Sequence, residues 1–210
     1  MKSFRIAFIL PLLALYLFSA CDKEKTSIGG KQSPIGEVGV TVETYGTSGF
    51  GVSNVFAEVV ALDKGVSEYS GSATVTNATL RNILANAPGV TVSGNTVTVT
   101  GVKMKVTDRG IESVEGFHPG VIVDYNAKVG DTYPMKGTGR SREVVSRSTD
   151  DDYFWEWMLI KVIEVEEPTN SMGVSRTTYW ANHKWGMVGI EFELDDGTIL
   201  EFPIYNSASN

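Results

Sequence analysis

Apolar and polar residues alternate with period two along much of the chain, the signature of strands half-buried on a sheet. Val38, Val40 and Val42 alternate with Glu37, Thr41 and Glu43, which predicts a strand over this stretch. Val55 to Leu62 is a second run, apolar on both faces except at Glu58. Val102, Met104 and Val106 alternate with Lys103 and Lys105, placing the lysines toward water. One segment breaks the period: Leu80, Ile83, Leu84 and Ala87 fall on one helical stripe. Thr76 or Asn77 serves as its N-cap, and Pro88-Gly89 ends it.

Two hairpins can be registered from turn chemistry. A two-residue Gly94-Asn95 loop pairs Val92 with Val97 and Val90 with Val99, keeping four valines on one face. Asp195-Asp196-Gly197 joins two more alternating runs. A three-residue loop pairs Phe192 with Leu200, Ile190 with Phe202 and Val188 with Ile204, again leaving one face dry. Tyr153 to Val165, apolar on both faces, predicts a central strand whose exit into a loop is marked by Glu164, Glu166 and Glu167, then Pro168. The fold class is therefore all-β with one short helix, as an antiparallel sandwich or a partly open, barrel-like meander. His118-Pro119-Gly120 marks a candidate subdivision near 117–120 within one antiparallel domain over residues 35–210.

The N-terminus is different in kind. Lys2 and Arg5 precede an apolar run from Ile6 to Phe18, followed by Ser19, Ala20 and Cys21. Cations, a short apolar core and small residues are the layout of a secretory signal. The run falls short of the about 20 apolar residues that a bilayer span needs. Phe18-Ser19-Ala20-Cys21 resembles the lipobox of bacterial lipoproteins, with Phe18 in place of the usual Leu. The resemblance implies cleavage before Cys21 and a lipid on its thiol, so residues 1–20 are read as signal peptide. Cys21 is the only cysteine, so an intrachain disulfide is excluded. Residues 21–34 are polar and end at Pro34, the composition of a flexible tether. The charges after Cys21 also resemble the surface-export signals of Bacteroidetes-type lipoproteins. Under the rules of enteric bacteria, an Asp in that place implies retention at the inner membrane instead.

Val129-Gly130-Asp131-Thr132-Tyr133-Pro134, and later Tyr179 to Gly189 with its Ala181-Asn182-His183, resemble β-rich Bacteroidetes-type lipoproteins. The resemblance covers roughly the last 80 residues. It implies an extracytoplasmic all-β protein and supplies no catalytic residues.

Charge narrows the partners. The chain carries 18 basic and 25 acidic residues, and loss of Lys2 and Arg5 with the leader makes the balance more acidic still. Such a surface argues against nucleic acid and anionic lipid headgroups as partners, since both need a cationic surface. Only His118 and His183 are present, no Ser sits in a Gly-x-Ser-x-Gly elbow, and no two histidines have ligand spacing. No cofactor or metal is implied. Asp150, Asp151 and Asp152 with Glu156 are the acids that paired-carboxylate glycoside cleavage would use, though a solvated turn explains them more simply. Arg140 and Arg142 share a face and could clamp an anion, or pair with the surplus acids.

Tyr153, Trp155 and Trp157, spaced by two, would form a row of rings on a strand, extended by Trp180 and Trp185. Exposed, these five are candidate ligand-binding residues for a sugar; buried, they are core. The sequence favours a membrane-anchored envelope lipoprotein acting as a non-enzymatic binding or accessory module. It would be held by its lipid at the outer membrane or cell surface and face a glycan or protein partner. A carbohydrate-active hydrolase and a purely structural envelope component are the alternatives.

Overall fold

The computed structural model describes residues 25–45, 51–116, 118–171 and 173–209. Among the described residues the protein is all-β with one short α-helix, and its open antiparallel sheet curls strongly into a half-barrel. The first sheet contains β1 (Thr41–Thr44), β2 (Val52–Asp63), β3 (Val66–Val75), β4 (Val90–Ser93), β5 (Thr96–Thr107), β6 (Gly110–Glu115) and β7 (Gly120–Asp124). The second contains β8 (Thr132–Met135), β9 (Arg140–Arg147), β12 (Ile163–Ser171), β13 (Val174–Asn182), β14 (Gly186–Leu194) and β15 (Ile199–Pro203). A separate hairpin of β10 (Tyr153–Trp155) and β11 (Met158–Ile160) stands between β9 and β12. The last strand, β16 (Tyr205–Asn206), returns to pair with β1.

The strand order is β16-β1-β2-β3-β5-β6-β7 in the first sheet, with β4 also on β5, and β15-β14-β13-β12-β9-β8 in the second. The long strand β5 changes partner along its length. Val90 to Ser93 pair with its first four residues, and β6 takes over from Lys103. Between these stretches Tyr69 faces Val102 while Gly71 faces Val99, so two β5 residues oppose one on β3. Such a bulge increases local twist and bends the strand, which suits a curling sheet.

Both hairpins adopt the expected registers. Val92 pairs with Val97 and Val90 with Val99. Phe192 pairs with Leu200 and Ile190 with Phe202, and the Ile204 N–H donates to the Val188 carbonyl at 3.0 Å. Gly197 takes φ +81°, the left-handed geometry that a three-residue loop needs. The helix α1 (Ala78–Leu84) is capped by Asn77, whose side chain accepts from the Leu80 N–H at 3.1 Å. Its Leu80 and Leu84 pack against Val52, Val75 and Val97 of the first sheet, as does Phe202 of the second.

Ile111, Val121, Val123, Tyr133, Val144, Val165 and Ala181 form the largest buried cluster. Residues on both sides of His118-Pro119-Gly120 contribute to it, so the two sheets share this core.

Three expectations are corrected. Strand β1 begins only at Thr41; Val38 lies in a turn and is exposed. The described part of the expected tether, residues 25–34, is docked instead of loose. Ile28 is 1% exposed and sits in the main cluster. The Ile28 N–H donates to Glu112 at 2.9 Å, Ser33 N–H to the Val106 carbonyl at 3.0 Å, and Lys25 is ion-paired with Asp124. Lys105 consequently does not simply face water, because its ammonium donates to the Ile28 carbonyl. Ile28→Ala should cost about 2–5 kcal/mol, the range for emptying a buried aliphatic site, in urea unfolding. A segment that floats free would leave the midpoint unchanged.

The third correction concerns Tyr153 to Val165, which is no single central strand. The chain reverses at Glu156-Trp157, with Trp155 paired to Met158 and Phe154 to Leu159. Glu156 takes φ +52°, an unusual geometry for a non-glycine residue.

Candidate functional site

The hairpin's two faces have opposite fates. Tyr153, Trp155 and Ile160 point inward onto the second sheet and pack around Val162, Val188, Trp180 and Trp185. Trp155 is 2% exposed, and its indole N–H donates to the Ile204 carbonyl at 2.9 Å. Its ring lies 5.3 Å from that of Trp185 and 5.7 Å from that of Tyr205, and Tyr205 in turn lies 5.4 Å from Tyr45. Tyr153 stacks on Trp180 at 6.0 Å. Its hydroxyl occupies space that a Cβ at Gly189 would fill, at 2.6 Å. Burial, followed by the charge of Glu201, pushes the Tyr153 hydroxyl up to about 12.

The structure therefore brings four of the five candidate aromatics, Tyr153, Trp155, Trp180 and Trp185, into one packed cluster. It separates Trp157, which stands in the turn with 90% of its surface exposed. Tyr205 and Tyr45 join the stack from distant parts of the sequence. The two-residue strand β16 carries Tyr205. Lys184 caps the edge, its ammonium 4.1 Å from the Trp185 ring centre, a cation–π geometry.

Outward, the same hairpin presents Phe154 at 70% exposure and its cross-strand partner Leu159 at 55%, with Trp157 and Met158 at the tip. Adjacent exposed apolar side chains of this size mark interaction surfaces more often than scattered single ones do.

The acids at the hairpin's base form a turn. Asp150, Asp151 and Asp152 are exposed, Ser148 Oγ donates to Asp152, and Thr149 Oγ1 to Asp150. A denser set of carboxylates lies on the second sheet, where Glu166 faces Thr178, Thr178 faces Glu191, and Glu191 faces Glu201. Arg176 bridges Glu166 at 3.2 Å and Glu193 at 2.8 Å. With Ser141, Glu143, Pro168 and Ser175, Glu166 and Arg176 line a shallow depression of about 240 Å³. Among the described residues, no three His, Cys, Asp or Glu side chains are grouped so as to hold a metal ion.

Burial and the neighbouring Glu166 raise the carboxyl of Glu164, while burial and Glu201 raise that of Glu191. A carboxyl raised in the folded state stabilises the fold below its ordinary titration range and loses that contribution as pH climbs through the raised value. Replacing Glu164 and Glu191 together by Gln should make the protein more stable than wild type at pH 7. The difference should shrink at pH 5, as read by denaturant midpoints. A difference that grows on acidification would contradict this.

Among the described residues, the most deeply buried charges lie elsewhere, between the two sheets. Arg142 on β9 is 1% exposed and Glu167 on β12 is 2% exposed. The Arg142 Nε–H donates to Glu167 at 2.6 Å, and its two terminal nitrogens donate to the carbonyls of Val121 at 2.9 Å and His118 at 2.6 Å. Tyr179 OH donates to Glu167 at 3.0 Å, and His118 Nδ1 contacts the second Glu167 oxygen. Between the two expectations for the arginines, pairing with an acid holds at Arg142. Arg140 reaches the Pro168 carbonyl at 3.3 Å, so the pair forms no common anion clamp.

The expected exit from the sheet at Glu167 is not observed, because β12 runs on through it to Ser171. The available signal for Glu167 was its two-residue spacing from Val165 and Ile163, which puts a carboxylate on a buried face. Arg142 stands in the same relation to Val144. The network ties the β7 side of the core to β9, β12 and β13, and its polar atoms face one another.

Compared with protein-family models, with curated proteins and with solved structures, the chain finds no match.

Proposed function

We propose that the protein is a lipid-anchored accessory module of the cell envelope, carrying its lipid on Cys21 and acting through binding rather than catalysis. The observation that carries the reading is the apolar leader that ends in small residues at the chain's sole cysteine. A thiol in that place is positioned for acylation. Several acyl chains hold a protein firmly where one holds it only marginally.

The fate of the candidate aromatics supports a binding role of a restricted kind. Trp155 is buried and packs against Trp185 and Tyr205, which takes its ring out of use as a platform for sugar rings. The outward apolar face of the hairpin is what the cluster leaves free to meet a partner. Replacement of Cys21 by Ser should leave a full-length precursor that takes up no labelled fatty acid. Normal processing and labelling of that variant would overturn the reading.

A further inference from the structure

We propose that the outward face of the β10–β11 hairpin is a second membrane contact, with Phe154, Leu159 and Trp157 seated in the interfacial layer of the bilayer that holds the lipid on Cys21. The proposal rests on the lipid-anchor reading above, and adds to it how the folded domain sits on the membrane.

The hairpin is apolar on both faces, yet among the described residues only one face has a protein layer against it. Tyr153, Trp155 and Ile160 are taken up by the second sheet. Phe154 and Leu159, paired across the strands, are left exposed, and Trp157 projects from the turn. From Tyr153 to Ile160 the one charged residue is Glu156. An indole at the tip of an apolar ribbon suits the membrane–water boundary, where an amphipathic ring has both of its environments.

The length of chain before the fold decides the occupant. Lys25 is fixed to Asp124, and only Asp22, Lys23 and Glu24 separate it from Cys21. At no more than about 3.6 Å per residue, the Cys21 Cα lies within roughly 15 Å of that of Lys25. A lipid on Cys21 therefore holds the domain against the bilayer, not at the end of a long leash.

The hairpin is rooted at the same end of the sheets. Arg147, the last residue of β9, donates to the Ala127 carbonyl; the Ala127 N–H donates to Asp124 at 2.9 Å; and Asp124 holds Lys25. The hairpin's base closes one residue on, where the Ser148 N–H donates to the Val162 carbonyl at 2.9 Å. Asp150, Asp151 and Asp152 flank that base, so a zwitterionic bilayer is the fitting surface.

The test uses the natively processed protein in phosphatidylcholine vesicles, with or without brominated acyl chains, after its intact mass has been read. Subtracting the emission of a Trp157→Phe variant isolates Trp157 from the other three tryptophans. Residue 157 is exposed, so the exchange leaves the fold intact. The expected result is a blue-shifted Trp157 emission that falls roughly twofold with brominated lipid, as for a ring at the acyl boundary, and resists aqueous iodide. Water-like emission quenched by iodide alone, in protein whose mass carries the lipid, overturns the hairpin contact while sparing the anchor. Blue emission insensitive to brominated lipid, with cross-linked dimers, overturns it in favour of a second copy of the chain. A mass without lipid overturns the anchor and this proposal together.

Discussion

Glu167→Ala should be among the most destabilising single substitutions in the protein. It leaves the buried Arg142 guanidinium, 1% exposed, without its carboxylate. Breaking a buried ion pair from one side costs about 3–5 kcal/mol. For a chain of this size that corresponds to a fall in Tm of roughly 10 °C. His118 and Tyr179 lose their shared acceptor in the same step. The decisive comparison is the double variant Arg142→Met with Glu167→Leu. Removing both charges and filling the space should recover most of the loss, because the penalty is that of an unpaired buried charge. Thermal unfolding of the three proteins checks this. A Glu167→Ala variant as stable as wild type would mean that the pair is solvated in solution.

The second large effect separates two tryptophans that lie two residues apart. Trp155→Ala should cost about 3–5 kcal/mol, the range for emptying a buried aromatic site. It also removes the bond to the Ile204 carbonyl and the ring on which Trp185 and Tyr205 pack. Trp157→Ala should leave stability within about 0.5 kcal/mol of wild type, as exposed positions do. Equal effects at the two sites would show that the chain does not reverse at Glu156-Trp157.

That reversal is also where sequence reading failed, for a physical reason. Trp155-Glu156-Trp157 contains no Gly, Asn, Asp or Pro, so nothing local marks a turn, and Glu156 supplies the left-handed conformation itself. The segment is apolar on both faces, yet only one face is buried. At Gly94-Asn95 and Asp195-Asp196-Gly197 the turn residues are the expected ones, and there the registers follow residue by residue. The α1 cap at Asn77 was legible for the same reason.

The segment before Pro34 shows a different limit. Its average composition is that of a loose tether, yet one residue, Ile28, enters the core and brings its neighbours into backbone pairing with Thr107 and Val106. Averages over a dozen residues hide a single anchor. The Arg142–Glu167 pair was harder still, since its partners are 25 residues apart and come from strands read separately. Each nevertheless stands on the apolar parity of its own strand, beside Val144 and Val165. A charge in that position is a sign of an internal partner.

For the proposed role, the docked segment matters more than the aromatic cluster. It shortens the link between Cys21 and the fold to three residues and thereby sets which surfaces can reach a membrane. A hairpin with a greasy outer face then has a neighbour of matching chemistry.

All of this placement depends on the modification proposed at one sulfur. Intact-mass spectrometry of the protein isolated from its native envelope reads it directly. The expected species begins at Cys21 and is heavier than the polypeptide by a diacylglyceryl group, with or without a further acyl chain. A chain that keeps Met1, or one that begins at Cys21 with a free thiol, would contradict the anchor.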